Sequence, residues 1–524
     1  MSWIPQYLTS DILTALIFLP LAGAVALFFL PRDNHKVLRD FTLFVTLLEF
    51  LVSLPVALSF DASAAGMQFV AKVPWIPQYG ISYHVGVDGI SLWLLMLTTF
   101  LMPITILSTY AAIEKHVKEF MIFMLLLEVG MVGVFLAIDL FLFYIFWELV
   151  LIPMYFLIGV WGHDRKIYSA VKFFIYTFVG SVLMLVAIIA LYFYHHKVTG
   201  IYTTDLMAMY ALDIPLKLQF WMFAAFALAF AFKVPMFPFH TWLPDAHVDA
   251  PTAGSVILAA VLLKMGTYGF LRFAMPLFPV AAADFTPLLA TLAVVGVVYG
   301  ALVAMVQKDI KKLVAYSSVS HLGFVMLGLF AMNVQGIEGG ILQMVNHGVS
   351  TGALFLIVGM IYERRHTRLI EEFGGLSRVV PLFALCFMIV TLSSIGLPGT
   401  NGFVGEFLIM VGAFKPLRWY TVVAASGVVF AAVYMLWMFQ RVMFGTLTHE
   451  KNRRLPDMNA REIAYMLPLV LFIFWIGVYP QTFLRKMDAS VTALVSRVEA
   501  KRQAALAGSP AGETLLARYF DARK

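Results

Sequence analysis

The sequence predicts an all-α polytopic membrane protein of about fourteen transmembrane helices, and three observations carry that prediction. Of 524 residues, 61% are hydrophobic and only 13% charged, against roughly 25% charged in soluble domains. Apolar runs of about 20 residues, the length a helix needs to cross the hydrocarbon core, recur about fourteen times between turn or charge signals. Helix is the form open to such runs, because a backbone group left unpaired in hydrocarbon costs several kcal/mol.

In chain order, the spans centre near about residues 20, 50, 97, 127, 150, 182, 227, 263, 293, 322, 349, 397, 431 and 470. The first follows MSWIPQYLTSD, which has no basic stretch and no small-residue cleavage site, and reads as a retained span rather than a signal peptide. Alternate connections carry the positive charge: RDNHKVLRD, EKHVKE, HDRKIYSAVK, QKDIKK, YERRHTRLIEEFGGLSR and HEKNRRLPDMNARE. The intervening connections hold only Lys72, Lys197, Lys217, Arg272, Lys415 and Arg418. The positive-inside rule places the first set in the cytoplasm and, with fourteen spans, both termini outside. The single cysteine, Cys386, excludes an intrachain disulfide and any cysteine-based zinc or iron–sulfur site, and its apolar setting reads as packing. The net charge of +6 is scattered through short loops, so no nucleic-acid partner is expected.

An internal repeat is predicted from spacing. Glu148 in span 5 and Lys233 in span 7 stand 85 residues apart, as do His321 in span 10 and Glu406 in span 12. The two pairs are offset by 173 residues, and both carry a helix breaker: Pro235 and Pro238 in span 7, LPGTNG in span 12. Spans 4–8 and 9–13 would form two five-helix units, and an odd helix number inverts the second unit in the membrane. The chain divides accordingly into helices 1–3 (1–115), the two repeats (116–278 and 279–447), helix 14 (448–485) and an amphipathic tail on the outer surface (486–524).

Ionisable groups inside such spans cost about 2.5–3.5 kcal/mol each and are functional hypotheses by default. Lys233 lies too deep in QFWMFAAFALAFAFK to reach an interface. It reads as a proton carrier set against a broken helix, a position also suited to capping the freed carbonyls. Glu148 reads as the carboxylate that tunes it. A salt bridge kept for stability alone is the plainer reading, but buried pairs rarely repay their desolvation. Lys264 stands mid-span in VILAAVLLKMGTYGF and must face protein or water. His321 and His347 suit a proton relay, with a hydrogen-bonded core histidine as the competing role. Glu406 follows the break in span 12. Glu128 and Asp139 sit nearer span ends, where packing or interfacial roles compete with transport. His240, Asp245, His247 and Asp249 fit no zinc spacing and read as helix caps and loop ties. No phosphate-binding loop, dinucleotide fingerprint or C-x-x-C occurs, so no cofactor is expected in this chain. The row Glu148, Lys233, Lys264, His321, Glu406, with His347, alternates acids and bases, which suits protons and suits bulky solutes poorly.

The stretch FKVPMFPFHTWLPDAHVDAPTAGSVILAAVLLKMGTYG resembles the signature of the antiporter-like membrane subunits of respiratory complex I, NADH:quinone oxidoreductase. Supporting stretches are FYIFWELVLIPMYFLIG, KDIKKLVAYSSVSHLGF, NHGVSTGALFLIVGMIYER and SSIGLPGTNGFVGEFLI, and the resemblance covers about residues 80–450. The same family supplies subunits of multisubunit Na⁺/H⁺ antiporters and membrane-bound hydrogenases. Glutamate rather than lysine at the broken span 12 is characteristic of its M branch, chain 4 in mitochondria. The resemblance implies a proton-translocating subunit in which Glu148 and Lys233 form the input pair, Lys264 and His321 the central relay, and Glu406 the terminal site. It also implies that NADH, FMN, iron–sulfur clusters and quinone belong to partner subunits. The expected partners are the other membrane subunits, especially the antiporter-like L and N subunits, with lipids and protons. The implied location is a bacterial inner membrane, termini on the periplasmic side. An antiporter or hydrogenase module, or a scaffold that no longer pumps, stands as the rival reading.

Overall fold

The computed structural model describes residues 6–507. Thirteen helices among the described residues are long and apolar enough to cross a membrane. The predicted span near residue 397 is present as two shorter apolar helices, Pro381–Ser394 and Asn401–Phe414, so the broken span 12 completes the set. Span 7 runs as Leu216–Lys233, breaks, and continues as Trp242–Asp249. The remaining spans used below are 2 (His35–Ser59), 3 (Leu92–Ala112), 4 (Val117–Leu136), 5 (Leu140–Trp161), 8 (Thr252–Leu277), 10 (Ile310–Phe330), 11 (Val334–Arg365) and 14 (Ala460–Val478).

Short polar side chains start several of these helices by satisfying the free amides of the first turn. Asp139 accepts from Phe141 and Leu142 at the head of span 5, and Asp309 from Lys311 and Lys312 at the head of span 10. Asn333 caps span 11. At span 14, Asn459 and Glu462 form a reciprocal capping box.

Burial separates the spans into two classes. The most apolar stretches of spans 8 and 11 are 100% buried, whereas that of span 14 is 33% buried and faces outward. A charge on span 8, 10 or 11 therefore meets protein rather than lipid. Close packing at the span 11–span 12 seam depends on glycine: a Cβ at Gly412 would lie 2.3 Å from the backbone nitrogen of Gly336, and one at Gly339 2.6 Å from that of Ile409.

Outside the helices the chain adds an antiparallel hairpin, Gln68–Ile76 with Ile81–Val87, between spans 2 and 3. Its turn uses Gly80 at φ +65°. The hairpin is tied down by Asp205, which meets Lys72 Nζ at 2.5 Å and His84 Nδ1 at 3.0 Å. Burial alone would raise the Asp205 carboxyl, but hydrogen bonds from His84 and Lys72 outweigh it and hold the group well below the usual carboxylate range. Backbone bridges join Asp139 at the head of span 5 to Asp205, and Asp309 at the head of span 10 to Leu369.

A further helix, Gln481–Ala507, lies across the ends of spans 2, 3, 7 and 11. Ser490 Oγ accepts from Gly89 N at 3.0 Å, Trp93 Nε1 donates to the Phe483 carbonyl at 3.0 Å, and Lys501 Nζ donates to the Leu212 carbonyl at 2.7 Å. It begins at Gln481, a few residues before the tail expected from the sequence. Residues 1–5 and 508–524, which include both termini and the end of that tail, lie outside the described residues.

Candidate functional site: a buried row of titratable groups

The breaks in spans 7 and 12 place two charges at the middle of the bundle. Lys233 is the last residue of Leu216–Lys233, and Glu406 lies in the second turn of Asn401–Phe414. The equal spacing suggested equivalent places, but Lys233 precedes its break and Glu406 follows one. The common feature is different: each hangs from the half-helix whose far end reaches Gln481–Ala507, through Gln219 near Lys501 and through Gly412 near Glu499. Lys233 sits at the C-terminal, electronegative end of its half-helix and Glu406 toward the electropositive end of its own, so each charge has the favourable sign.

Lys233 is 1% exposed, and its Nζ makes no hydrogen bond among the described residues. The ammonium lies 5.2 Å from the Trp147 ring centroid and 5.9 Å from that of Phe173, an aromatic setting that suits a cation. Glu148, half-buried, lies beside Tyr144 and Ser181 and leaves Oε1 unbonded. The expected Glu148–Lys233 ion pair is not formed in this conformation.

The second half of the row is closed by contacts. Lys264 lies on span 8 between two π-helical turns, Leu258–Leu262 and Phe270–Ala274. Such turns leave backbone groups out of register and recur at functional sites. Lys264 Nζ donates to the Ala259 carbonyl at 2.6 Å and to His347 Nδ1 at 2.6 Å. The ring centroids of His347 and His321 are 6.0 Å apart. Both line a cavity of about 10 Å³ with Gln343, Asn346, Ser350 and Ser393. That is room for about one water, with enough polar partners to hold it. His321 Nδ1 donates to Glu406 Oε1 at 2.8 Å, and Gln343 Nε2 donates to the same oxygen at 3.1 Å.

Amides and hydroxyls fix the break beside Glu406. Asn346 Nδ2 donates to the Asn401 carbonyl at 2.7 Å, Asn401 Nδ2 donates to Ser350 Oγ at 3.0 Å, and Ser393 Oγ donates to Asn401 Oδ1 at 2.5 Å. These uncharged residues carried no signal in the sequence.

Two of the four polar residues after the span 7 break act as ties. Asp249 accepts from Ser169 Oγ at 2.5 Å and Arg165 N at 3.2 Å, and Asp245 pairs with Lys172 at 2.7 Å. His247 is different: it is 0% exposed, stacks on Phe355 at 4.6 Å, and finds no hydrogen-bond partner for either ring nitrogen among the described residues. Lys311, Lys264 and His347 lie within electrostatic reach of it. His240 packs edge-on to Tyr299. Asp139 works as a cap, held also by Thr204 Oγ1 at 2.6 Å. Glu128 lies well inside span 4 rather than near its end: it is 0% exposed and neighbours Glu49 of span 2, also 0% exposed. This carboxyl pair stands apart from the row.

An all-helical membrane bundle with two broken spans and a buried line of lysines, histidines and a carboxylate defines an ion-translocating, antiporter-like membrane subunit. The chain belongs to the NADH:quinone oxidoreductase/Mrp antiporter transmembrane family, whose model matches residues 137–433. It is 49% identical over 507 residues to NADH-quinone oxidoreductase subunit M of Rhodobacter capsulatus, covering 94% of this chain and 97% of that one. It is 45% identical over 484 residues to NADH-ubiquinone oxidoreductase chain 4 of Marchantia polymorpha, covering 92% and 97%. A chain of respiratory complex I from Thermus thermophilus with bound NADH superposes with TM-score 0.85 at 32% identity, covering 93% of this chain and 99% of that one.

Proposed function

We propose that this chain is a proton-translocating membrane subunit of an NADH:quinone oxidoreductase, carrying protons along Glu148, Lys233, Lys264, His347, His321 and Glu406. The observation that carries the reading is the succession of buried groups from Lys264 through His347 and His321 to Glu406, hydrogen-bonded at both ends and separated in the middle only by the one-water cavity. A proton on Lys264 Nζ has His347 Nδ1 as its acceptor at 2.6 Å. The proton on the other ring nitrogen of His347 leaves through the single-water cavity to His321. His321 Nδ1–H already points at the Glu406 carboxylate, which takes the proton as His321 regains one from the cavity. Each hop passes one proton on and leaves Lys264 neutral and both imidazoles in the opposite tautomer. Rotation of the two rings and a new proton on Lys264 reset the row; nothing is oxidised or reduced in this chain, and the electrons move in partner subunits.

The row is open at two places, Glu148 to Lys233 and Lys233 to Lys264. Closing the first would bring a carboxylate to the Lys233 ammonium and release or capture its proton, which makes this gap the natural point of control.

The inverted repeat is part of the same reading. Each five-helix unit has a backbone bridge from the head of its second helix to the chain after its third, at Asp139–Asp205 and Asp309–Leu369. Five crossings separate the two, so the bridges lie on opposite faces. Antiporter-like L and N subunits are the neighbours this reading calls for, in a bacterial inner membrane with the Gln481–Ala507 face toward the periplasm. Full-length identity to subunit M favours it over a stand-alone Na⁺/H⁺ antiporter or hydrogenase module. Purification of the tagged chain tests it. Co-purifying flavin and iron–sulfur subunits with inhibitor-sensitive quinone reduction are expected, whereas recovery with small membrane subunits alone and Na⁺-dependent proton flux would overturn it.

A further inference from the structure

Independently of the proton row, we propose that a crevice between spans 2, 3, 11 and 14 holds one acyl chain of an anionic phospholipid, with the headgroup phosphate at Lys486. The crevice has a volume of about 250 Å³ and is walled by Phe50, Leu54, Leu97, Phe100, Val349 and Phe472. Apolar cavities of even about 150 Å³ stay dry and take up hydrocarbon, so water is not its occupant. It opens sideways at a rim where Leu58 is 81% and Trp475 47% exposed. Because it follows the last turns of span 2 and the end of span 14, this opening faces lipid tails in the leaflet next to Gln481–Ala507.

Lys486 closes the end of the crevice nearest the surface. Its Nζ donates to the Ala57 carbonyl and lies 5.9 Å from the Trp93 ring centroid. Among the described residues no carboxylate lies within ion-pair distance of it, and burial disfavours its charged form with nothing to offset that cost. An ammonium has three donors, and the Ala57 carbonyl takes one. A phosphate oxygen would use another and supply the missing charge. The Trp93 indole is already bonded to Phe483, so Lys486 is the polar end of the site. An apolar crevice ending in an uncompensated cation at headgroup level matches an anionic phospholipid.

The test uses the intact complex, purified in mild detergent, with retained phospholipids counted by native mass spectrometry. Leu54→Trp fills the slot from a half-exposed, lipid-facing position that the fold tolerates, and should remove one phospholipid per complex. Lys486→Gln should leave the number unchanged but lower the anionic-to-zwitterionic ratio of that lipid. A photo-reactive phenylalanine at position 54 should crosslink to lipid. Unchanged lipid counts in Leu54→Trp, an unchanged headgroup ratio in Lys486→Gln, or a crosslink to protein instead of lipid would each overturn the proposal.

Discussion

Replacing Glu406 with glutamine removes the terminal charge of the row while leaving its shape. In the structure Glu406 Oε1 accepts from His321 at 2.8 Å and from Gln343 at 3.1 Å, and an amide oxygen can keep both bonds. What it loses is the terminal proton acceptor and, with it, the attraction for a proton arriving on His321. Two unit charges about 4 Å apart at an effective dielectric constant of about 20 attract by about 4 kcal/mol. At about 1.4 kcal/mol per tenfold, the state with the proton delivered to this end of the row becomes about 10³-fold less populated. The structural cost is smaller, because a neutral hydrogen bond replaces a charge-assisted one at a difference of about 1–2 kcal/mol. The assay is the intact complex in vesicles, with NADH oxidation followed beside dye-reported proton uptake and assembly checked on a native gel. Assembled Glu406→Gln complex should lose most coupled proton pumping. If it pumps at the wild-type rate, Glu406 is not a station on the pathway.

Four further predictions rest on separate observations. Lys233→Ala, at the aromatic-lined end of the broken span 7, should likewise abolish most pumping without loss of assembly, read in the same vesicle assay. Arg272→Met strands Asp88, its partner in a buried ion pair, and should cost about 3–5 kcal/mol of stability; thermal melts in detergent should show the loss, with partial recovery when Asp88→Asn is added. Gly412→Val drives a side chain into the Gly336 backbone, 2.3 Å from the first added atom, and should lower the melting temperature by an overpacking cost of about 1–3 kcal/mol or more. His163 in the loop between spans 5 and 6 is pushed down from 6.5 to about 4, by burial first and then by Lys311 and Arg368. A depressed histidine favours the folded state above the unfolded value, and that contribution is lost as the pH falls from 6.5 through about 4. His163→Gln should therefore flatten the acid side of the melting-temperature profile in this window.

The spans and breaks were legible because hydrocarbon imposes a length and a backbone rule that a one-dimensional pattern can satisfy or fail. Lys233, Lys264 and Glu406 were legible for a related reason: a charge in an apolar run of 20 residues is costly wherever its neighbours lie. Pairing was not legible. His321 and Glu406 are in contact, whereas Glu148 and Lys233, at the same separation of 85 residues, are not, since contact depends on which side of a break each stands. His247 reads from sequence as a cap or loop tie because its spacing fits no zinc motif; burial against Phe355 is a property of span 11, over a hundred residues away in the chain. Gln343 and Asn346 carry no charge and so left no trace of cost. Glu49 draws no expectation, and Glu128 reads as a residue near a span end with packing, interfacial and transport roles all open, because neither shows from sequence that it faces the other. The hairpin at residues 68–87 lies outside the membrane, where the apolar-run criterion has nothing to say.

The central claim is that protons cross through the Lys264–His347 contact at the middle of the bundle. Lys264→Met keeps the length of the side chain and removes the ammonium that bonds His347 Nδ1. Proton flux into vesicles containing the assembled variant complex, driven by NADH, should be reduced to a small fraction of the wild-type value. Flux at the wild-type level in that same assembled complex would show that protons take another path.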